Sequence, residues 1–494
     1  MSARGSAAPD TGPPKVRAVV GLLVAFELVS GFLQGAAVPL VPEIQHGQGV
    51  STGTAQWFTS VQLLAAAVAV PALGRLGDLY GHRRMLRLSL AVVAAGTVLV
   101  ACAPNLGVLL LGRALMGPLA ALLPLEIGLV RDRLSVDGGR RAVGLLVGAL
   151  TLGTVLGHGL VGPLLSLLGA LRPTLAVLAV AAVGCLALSF TAIPESRTRG
   201  RGRMDWSGAA LLALALVTLL GTVARGSSRG WTSAPVLGGL LLAAALFAAW
   251  TRTQLGRPDA LVDVRAVARR QSAPFYASGF VLGAVMLGGQ PVAVSFMAAS
   301  PDATGYGFGL AAWQISLYGV IPNIMAFAGS ALCAALATRI GYRTLLLGAF
   351  ALLTVGHTAL LAVHSGLAPF AVANALVGVG CGLALGGLPT VVVEGSAADR
   401  TASATAVYNN LKTLGGSVGG AVFSVALGSL VIGATDTPSL TAYLTVWAGG
   451  AAACALAVLV QLGAGPRRSA APVPAVPAVP AVPAPAGPVC DRPG

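Results

Sequence analysis

Charged side chains are scarce in this chain, at 10% of its 494 residues, whereas 56% of the residues are hydrophobic and the mean hydropathy is +0.84. A soluble domain of this length cannot bury so much apolar surface, so the composition excludes the soluble globular class. Lysine is nearly absent, and neither Lys15 nor Lys412 follows a glycine, which excludes a Walker phosphate-binding loop. No histidine is followed by glutamate, which excludes the H-E-x-x-H zinc motif.

Closely spaced cysteines are also missing. The six cysteines include no C-x-x-C pair, so the sequence predicts neither a disulfide framework nor a metal site. Two G-x-S-x-G matches, at 226–230 and 415–419, fall in a predicted loop and in an apolar run, without the strand-turn-helix setting of a nucleophile elbow. We therefore expect no enzyme activity, no metal and no cofactor.

Long apolar runs are what the sequence has in abundance. Each is close to the length of about 20 residues that crosses a bilayer as a helix. Because lipid satisfies no backbone hydrogen bond, every such span is expected to be helical, and the predicted fold is all-α and integral to the membrane. Fourteen runs qualify, at 16–42, 54–74, 85–103, 106–128, 142–163, 172–193, 206–224, 234–251, 273–298, 309–337, 344–363, 367–392, 411–432 and 440–463.

Positive charge lies on one side of these predicted spans. Of the 31 Lys and Arg residues, only Arg172, Arg225 and Arg229 fall in the loops of one side, and Arg113 lies within a span. Cytoplasmic loops retain Lys and Arg, so we predict a multi-pass protein of the inner (plasma) membrane with both termini in the cytoplasm. An anionic inner leaflet explains the net charge of +15, and no nucleic-acid partner is expected.

A weak internal repeat indicates two related halves. Residues 76–83, LGDLYGHR, align with residues 336–343, LATRIGYR, and both follow an even-numbered span at the inner surface. Transporters are commonly built from two such halves with a central site between them. The predicted division is a cytoplasmic segment at 1–15, a six-helix bundle at 16–193, two extra spans with their linkers at 194–272, a second six-helix bundle at 273–463 and a disordered Pro/Ala/Val-rich tail at 464–494. Residues 257–271, within one linker, are a candidate interfacial helix.

The loop at 74–84, GRLGDLYGHRR, concentrates glycine and charge at the inner surface. Gly74 and Gly81 permit close backbone approach or a positive φ, and Asp78 lies among arginines that include Arg83. We expect these four residues to form a conformational latch that holds the two halves together in one state, with a solvated turn as the alternative. The stretch resembles the inner-loop motif G-x-L-x-D-x-x-G-x-R of the major facilitator superfamily.

Arg113 in span four is a second candidate for function. A buried arginine normally faces a partner or a wet cavity. Its surroundings, LLLGRALMGPLAA, resemble a span-four motif of the same superfamily, in which the arginine is tied to proton coupling. An arginine bonded to backbone carbonyls is the structural alternative.

Span five contains GTVLGHGLVG, in which Gly153, Gly157 and Gly162 offer a small-residue face for close helix packing. This segment resembles the antiporter motif of the superfamily, with His158 where a proline is expected. His158 is a candidate titrating site. A neutral histidine bonded to a backbone carbonyl is the alternative.

Glu27 is the membrane-embedded acid of span one. We predict that Glu27, Arg113 and His158 take part in proton coupling. Glu27 ranks first because an arginine cannot release a proton at working pH and acts by setting the proton affinity of the acid. A structural pairing of Glu27 is the alternative, and Glu126, at the inner end of span four, is expected to be interfacial.

Polar residues within several spans are candidates for a substrate cavity. Each is equally well explained by a hydrogen bond between helices. They are Gln34, Gln290, Tyr318, Asn323 and Asn374.

The start of span seven, MDWSGAALLALAL, and residues 54–74 resemble the fourteen-span drug:proton antiporter family of that superfamily. The resemblance implies two six-helix bundles with two additional central spans. It also implies a monomer in the lipid bilayer that exports a hydrophobic or amphipathic small molecule, such as a drug or antibiotic, in exchange for protons. The proton gradient supplies the energy. The alternatives are a proton-coupled or passive importer of a small metabolite, and a transport-inactive membrane sensor or scaffold.

Overall fold

The computed structural model describes residues 13–131, 136–193, 204–229, 232–257, 260, 264–265, 272–394, 401–433 and 435–463. Within these ranges the chain is built from α-helices. The tail at 464–494, most of the candidate interfacial helix at 257–271 and most of the segment at 1–15 lie outside the described residues.

Six long helices form the first half. Two short helices, Val41–Gln48 and Thr52–Ala55, lead from the first long helix to the second, and the fourth is interrupted by a 3-10 segment. The long helices are α1 Pro13–Ala37, α2 Trp57–Tyr80, α3 His82–Ala101, α4 in three parts (Leu106–Leu115, Gly117–Ala121 and Leu122–Arg131), α5 Val136–Leu168 and α6 Leu171–Ala192.

Eight further long helices follow, and the first two separate the halves. They are α7 Trp206–Arg229, α8 Ala234–Leu255, α9 in three parts (Ala273–Gly283, the π-helical turn Ala284–Gly288 and Gln290–Ala298), α10 Ala312–Ile340, α11 Tyr342–Ala362, α12 Leu367–Glu394, α13 Thr401–Ser429 and α14 Leu440–Gly463. A short helix, Pro301–Thr304, lies between α9 and α10. Among the described residues, 13 helices are long and apolar enough to cross a membrane, and in α7 the apolar stretch Trp206–Leu219 is shorter. The number fourteen therefore stays a prediction.

The same helix pairings recur in the two halves. In the first half α1 packs on α5, α2 on α4, and α3 on α6, and in the second half α9 packs on α13, α10 on α12, and α11 on α14. The halves meet where α5 packs on α10 and where α2 packs on α13. Because α5 corresponds to α13 and α2 corresponds to α10, these two contacts are equivalent. We call these two contacts the cross-half seams. The pairings describe two related bundles about a pseudo-two-fold axis, with α7 packed on α8 and α13.

The aligned glycines of the internal repeat occupy equivalent turns. Gly81 separates α2 from α3 with a φ of 105°, and Gly341 separates α10 from α11 with a φ of 78°. A residue with a Cβ rarely adopts such a positive φ, so glycine is required at both turns. These turns mark the predicted inner face of the protein.

The aligned arginines of the repeat also make equivalent contacts. The Arg83 Nη1 donates to the Ile193 carbonyl at 3.1 Å, just beyond α6. The Arg343 Nη2 donates to the Gln461 carbonyl at 3.0 Å, near the end of α14. The last carbonyls of a helix lack partners within the helix and attract cations. Each arginine therefore fastens the last helix of its half to the turn after the second helix.

An aromatic cluster fills the predicted outer end of the second half. Phe296 of α9 is fully buried and stacks on Tyr306 and Phe370, with ring centroids 5.6 and 5.4 Å away. The rings of Tyr443 and Trp447 from α14 meet Phe296 edge-on, at 5.2 and 5.1 Å. These contacts join α9, α12, α14 and the loop before α10 at one level, and they close this end of the bundle.

Asp205 joins the α7–α8 hairpin at the predicted inner surface. Its carboxylate accepts from the Gly208 N–H at 2.8 Å and from the Gln254 Nε2 at 2.7 Å, and the Arg257 guanidinium also contacts it. Burial opposes ionisation of this carboxyl, but hydrogen bonds from Gln254, Gly208 and Ser207, together with Arg257, outweigh burial and lower the pKa of Asp205.

Replacing Asp205 by Asn should lower the free energy of unfolding by about 1–2 kcal/mol. The variant keeps an oxygen that can accept from the Gly208 N–H, but it loses the charge-assisted contacts with Gln254 and Arg257. Because the folded-state pKa is lowered, the carboxylate stabilises the fold at neutral pH. This contribution is lost as the pH falls below the unfolded value of about 3.9 and through the folded pKa. In thermal unfolding in detergent, the melting temperature of Asp205→Asn should therefore be lower than that of the wild type at pH 7, and the difference should be smaller at acidic pH. The exposed Asp302→Asn is the matched control, and equal stability at pH 7 would contradict the assignment.

Candidate functional site

The three residues predicted to couple protons lie inside the first half, on three different helices. Glu27 of α1, Arg113 of α4 and His158 of α5 are 1%, 4% and 3% exposed. An ionisable group at this depth needs a partner inside the protein or a functional reason to be there. Their individual contacts distinguish these two cases.

Arg113 binds to the start of α2. Its Nε donates to the Phe58 carbonyl at 2.8 Å, and its guanidinium carbon lies 4.2 Å from the centroid of the Phe58 ring. The described residues contain no ion pair between Arg113 and Glu27. The arginine therefore makes a backbone contact and a cation–π contact that fasten α4 to α2. This is the arrangement of the structural alternative considered above.

Glu27 contacts another acid, Glu126, on the last part of α4. The two carboxyl groups lie within hydrogen-bonding reach of each other, and Glu126 is 0% exposed. The expectation that Glu126 is interfacial is wrong. The helix continues to Arg131, beyond the apolar run, and Glu126 faces α1 rather than the surface. Cys185 of α6 lies beside Glu126.

His158 lies at one of the cross-half seams. Its imidazole faces Gly319 of α10, where an added Cβ would overlap the Nε2. Within the described residues this Nε2 has no hydrogen-bond partner. The histidine therefore contacts the second half directly, whereas Glu27 and Arg113 are enclosed in the first.

Two hydrogen bonds join the halves near the predicted outer face. The Gln56 Nε2 donates to the Ser295 Oγ at 2.9 Å, which links the start of α2 to the end of α9. The Gly162 N–H donates to the Ser316 Oγ at 3.0 Å, which links the end of α5 to the start of α10. The halves are therefore joined by polar contacts at this face.

At the predicted inner face, the described residues give no equivalent hydrogen bond between the two bundles. Asp78, of the predicted latch, is 53% exposed, and its carboxylate lies 3.4 Å from the His82 Nε2 of the same half. An added Cβ would meet open space at Gly74 on α2 and at Gly144 and Gly148 on the inner part of α5. Among the described residues, the latch aspartate makes no ion pair with the second half. The face of α5 that carries Gly144 and Gly148 is exposed.

The three glycines of span five serve two different interfaces. An added Cβ at Gly153 or Gly157 would overlap a backbone carbonyl of α1, within the first half. At Gly162 it would overlap the Ala312 carbonyl of α10, across the seam. Close packing through small residues thus builds the first half and also attaches it to the second.

The five candidate cavity residues are half-buried and lie on four helices. The amides of Gln34, Asn323 and Asn374 each donate to a carbonyl four residues earlier in their own helix. Among the described residues, no hydrogen bond joins any two of the five. The five are Gln34, Gln290, Tyr318, Asn323 and Asn374.

Lys412 is at the start of the predicted span 411–432, where its charge was counted with the inner side. The structure begins this helix earlier, so Lys412 lies within α13, and its Nζ is 5.7 Å from the centroid of the Tyr408 ring. Two features of the sequence could have identified this lysine as a residue of interest: it lies at the edge of an apolar run, and the chain has almost no other lysine.

The family model described as Major Facilitator Superfamily matches residues 23–420. The chain is 28% identical over 465 residues to a probable actinorhodin transporter of Streptomyces coelicolor, covering 89% of this chain and 78% of the relative. It is 28% identical over 462 residues to a puromycin resistance protein of Streptomyces alboniger, covering 88% and 84%. It is 25% identical over 397 residues to a tetracenomycin C resistance and export protein of Streptomyces glaucescens, covering 79% and 72%.

Solved structures of transporters share the fold. The nucleoside transporter NupG matches with a TM-score of 0.63 at 13% identity, covering 91% of this chain and 100% of that chain. A peptide transporter, POT, matches with a TM-score of 0.64 at 16% identity, covering 90% and 94%. At these identities the likeness shows the fold alone.

Substituting Gly162 by Ala should open the outer seam, because the added methyl overlaps the Ala312 carbonyl. Overpacking costs about 1–3 kcal/mol, and each 1.4 kcal/mol changes a population about tenfold. A Val38→Cys reporter, buried against the second half, should then react about tenfold faster with an impermeant maleimide in a Cys102→Ser background. Gly148→Ala, which meets open space, is the matched control. Equal rates in all variants would show that the seam does not close this face.

Proposed function

Because this chain belongs to the Major Facilitator Superfamily, we propose that it exports a hydrophobic or amphipathic small molecule, such as an antibiotic, in exchange for protons. The family and the relatives identify a multi-pass membrane transporter rather than an enzyme. The names of three relatives concern the transport of, or resistance to, antibiotics. These names support export as the direction and an antibiotic as the substrate class.

The observation that carries the proposal is the asymmetry between the two faces. The halves are joined through Gln56 and Gly162 at one face. Toward the other face, Gly144 and Gly148 of α5 are exposed, and a Cβ added at either position would meet no atom within 4 Å. Transporters with two related halves work by alternating access, in which one half rocks against the other around a central site. With the predicted orientation, this state opens toward the cytoplasm, where an exporter takes up its substrate.

The half-buried polar residues on α1, α9, α10 and α12 suit a substrate that is largely apolar. Such a molecule needs a few polar contacts to orient it and an apolar lining for the rest of its surface. We place the substrate between the halves, near Gln34, Gln290, Tyr318, Asn323 and Asn374. The proposed transporter acts as a monomer in the plasma membrane, has both termini in the cytoplasm and is driven by the proton gradient.

Import of a small metabolite is the second candidate. The departure at His158 favours it, since a proline is expected at this position of the antiporter motif. A panel of toxic compounds, applied to cells with and without the protein, separates the two directions. Resistance supports export, and sensitisation or growth on a metabolite supports import.

Proton coupling is tested in inverted membrane vesicles with the panel compound to which the protein confers most resistance. Uptake should require a pH gradient, and ATP added without a gradient should not drive it. Glu27→Gln should lower gradient-driven uptake about tenfold or more, which corresponds to at least about 1.4 kcal/mol. His158→Ala should retain most uptake, with both variants present at wild-type levels in the membrane. Full uptake by Glu27→Gln together with loss in His158→Ala would show that the histidine carries the proton.

A further inference from the structure

Two acids meet in the interior of the first half. Glu27 comes from α1 and Glu126 from the last part of α4, 99 positions later in the sequence. Both are buried, and their carboxyl groups lie within hydrogen-bonding reach of each other. Among the described residues, no donor side chain or backbone N–H reaches any of their four oxygens.

Within the part of the chain that the structure describes, no cation pairs with either acid. Leu23, Phe26 and Leu125 belong to the same buried apolar cluster. Of the helices that pack on α1, α6 brings the Cys185 thiol next to Glu126, and α5 presents glycines and backbone.

Arg113, His82 and Asp78, on the neighbouring helices, make their contacts elsewhere. The Arg113 guanidinium is bound to Phe58. His82 of α3 packs against Gly128, which lies two residues, or about 200°, around α4 from Glu126. Its partner Asp78 is exposed at the surface. Two negative charges in contact with each other and without a cation are not tolerated in an apolar interior.

We propose that Glu27 and Glu126 form one proton-binding site, in which a single proton is shared between the two carboxyl groups. One carboxyl donates its O–H to the other, so the contact becomes a hydrogen bond and only one negative charge is spread over the pair. The proposal rests on the proposed function in one respect: it identifies this pair as the proton site of the transporter.

The position of the pair connects it to both cross-half seams. α1 packs on α5, which meets α10, and α4 packs on α2, which meets α13. Each carboxyl is thus one helix away from a different seam. The 3-10 segment Gly117–Ala121 interrupts α4 between the part held by Arg113 and the part that carries Glu126. Short 3-10 stretches within a helix often mark hinges. Movement at either seam therefore alters the contact between the acids, and the state seen here is the one that holds the proton.

The test is infrared spectroscopy of the purified, reconstituted protein during a pH titration, with the proton itself as the probe. The wild type should show a carbonyl stretch of a protonated, buried carboxyl that shifts in D₂O and disappears at alkaline pH. In Glu126→Gln the titration midpoint of the remaining acid should move by about one pH unit or more, and the same should hold for Glu27→Gln, because the two sites are coupled. Glu43→Gln, an acid on a neighbouring short helix, is the matched control and should leave the band unchanged.

Two outcomes would contradict a proton shared between Glu27 and Glu126. One is the absence of such a band in the wild type at every pH. The other is a band whose midpoint is unaffected by substitution of the second acid, which means that the two titrate independently. If Glu126→Gln does not reach the membrane, Glu126→Asp keeps the acid on a shorter side chain and should also shift the midpoint. The spectroscopy uses no substrate, so it tests the proton site separately from the proposed function. A shared proton in a protein that confers no resistance would refute the export function and leave the proton site supported.

Discussion

Contact between helix backbones at glycine is the interaction on which the rest of this structure depends. In lipid no hydrophobic force draws two apolar helices together, so they associate through close packing and hydrogen bonds. A Cβ added at Gly31 or Gly35 of α1 would overlap a carbonyl of α5, and one added at Gly283 would overlap a carbonyl of α13. The same holds at Gly378 and Gly382, which lie against α10. Each half is therefore assembled on equivalent glycine contacts.

The same packing determines where ionisable groups are tolerated. Arg113 is accommodated because Phe58 offers a carbonyl and a ring face, and the repeated Arg83 and Arg343 are accommodated at helix ends. Among the described residues, Glu27 and Glu126 have no such partner. A shared proton explains how two acids can lie together there. His158 differs from all of them because its neighbour, Gly319, belongs to the other half. The interior thus separates groups that hold the bundle together from Glu27 and Glu126, which lack such partners among the described residues.

The helical architecture was predictable because lipid leaves few alternatives, and the spans follow from the apolar runs. The aligned repeat also indicated that Gly81 and Gly341 occupy equivalent turns, and both have a positive φ. Partners distant in sequence were not predictable: nothing in the local pattern around Arg113 indicates Phe58, or around Asp205 indicates Gln254. Glu126 was misplaced because an acid near the end of a predicted span was assigned to the membrane surface, whereas the helix continues to Arg131 and Glu126 faces α1.

We propose that the two halves rock about the glycine-lined seams as the buried acids gain and lose a proton. Distances between paired spin labels test it most directly. One pair, at Leu167 and Trp313, reports the predicted outer ends of α5 and α10, and another, at Val147 and Ile340, reports the inner ends; all four side chains are exposed. At acidic pH the outer distance should be short and the inner one long. At alkaline pH a second population should appear with the outer distance longer and the inner distance shorter. Distances that do not change with pH, or that lengthen together at both ends, would contradict the account.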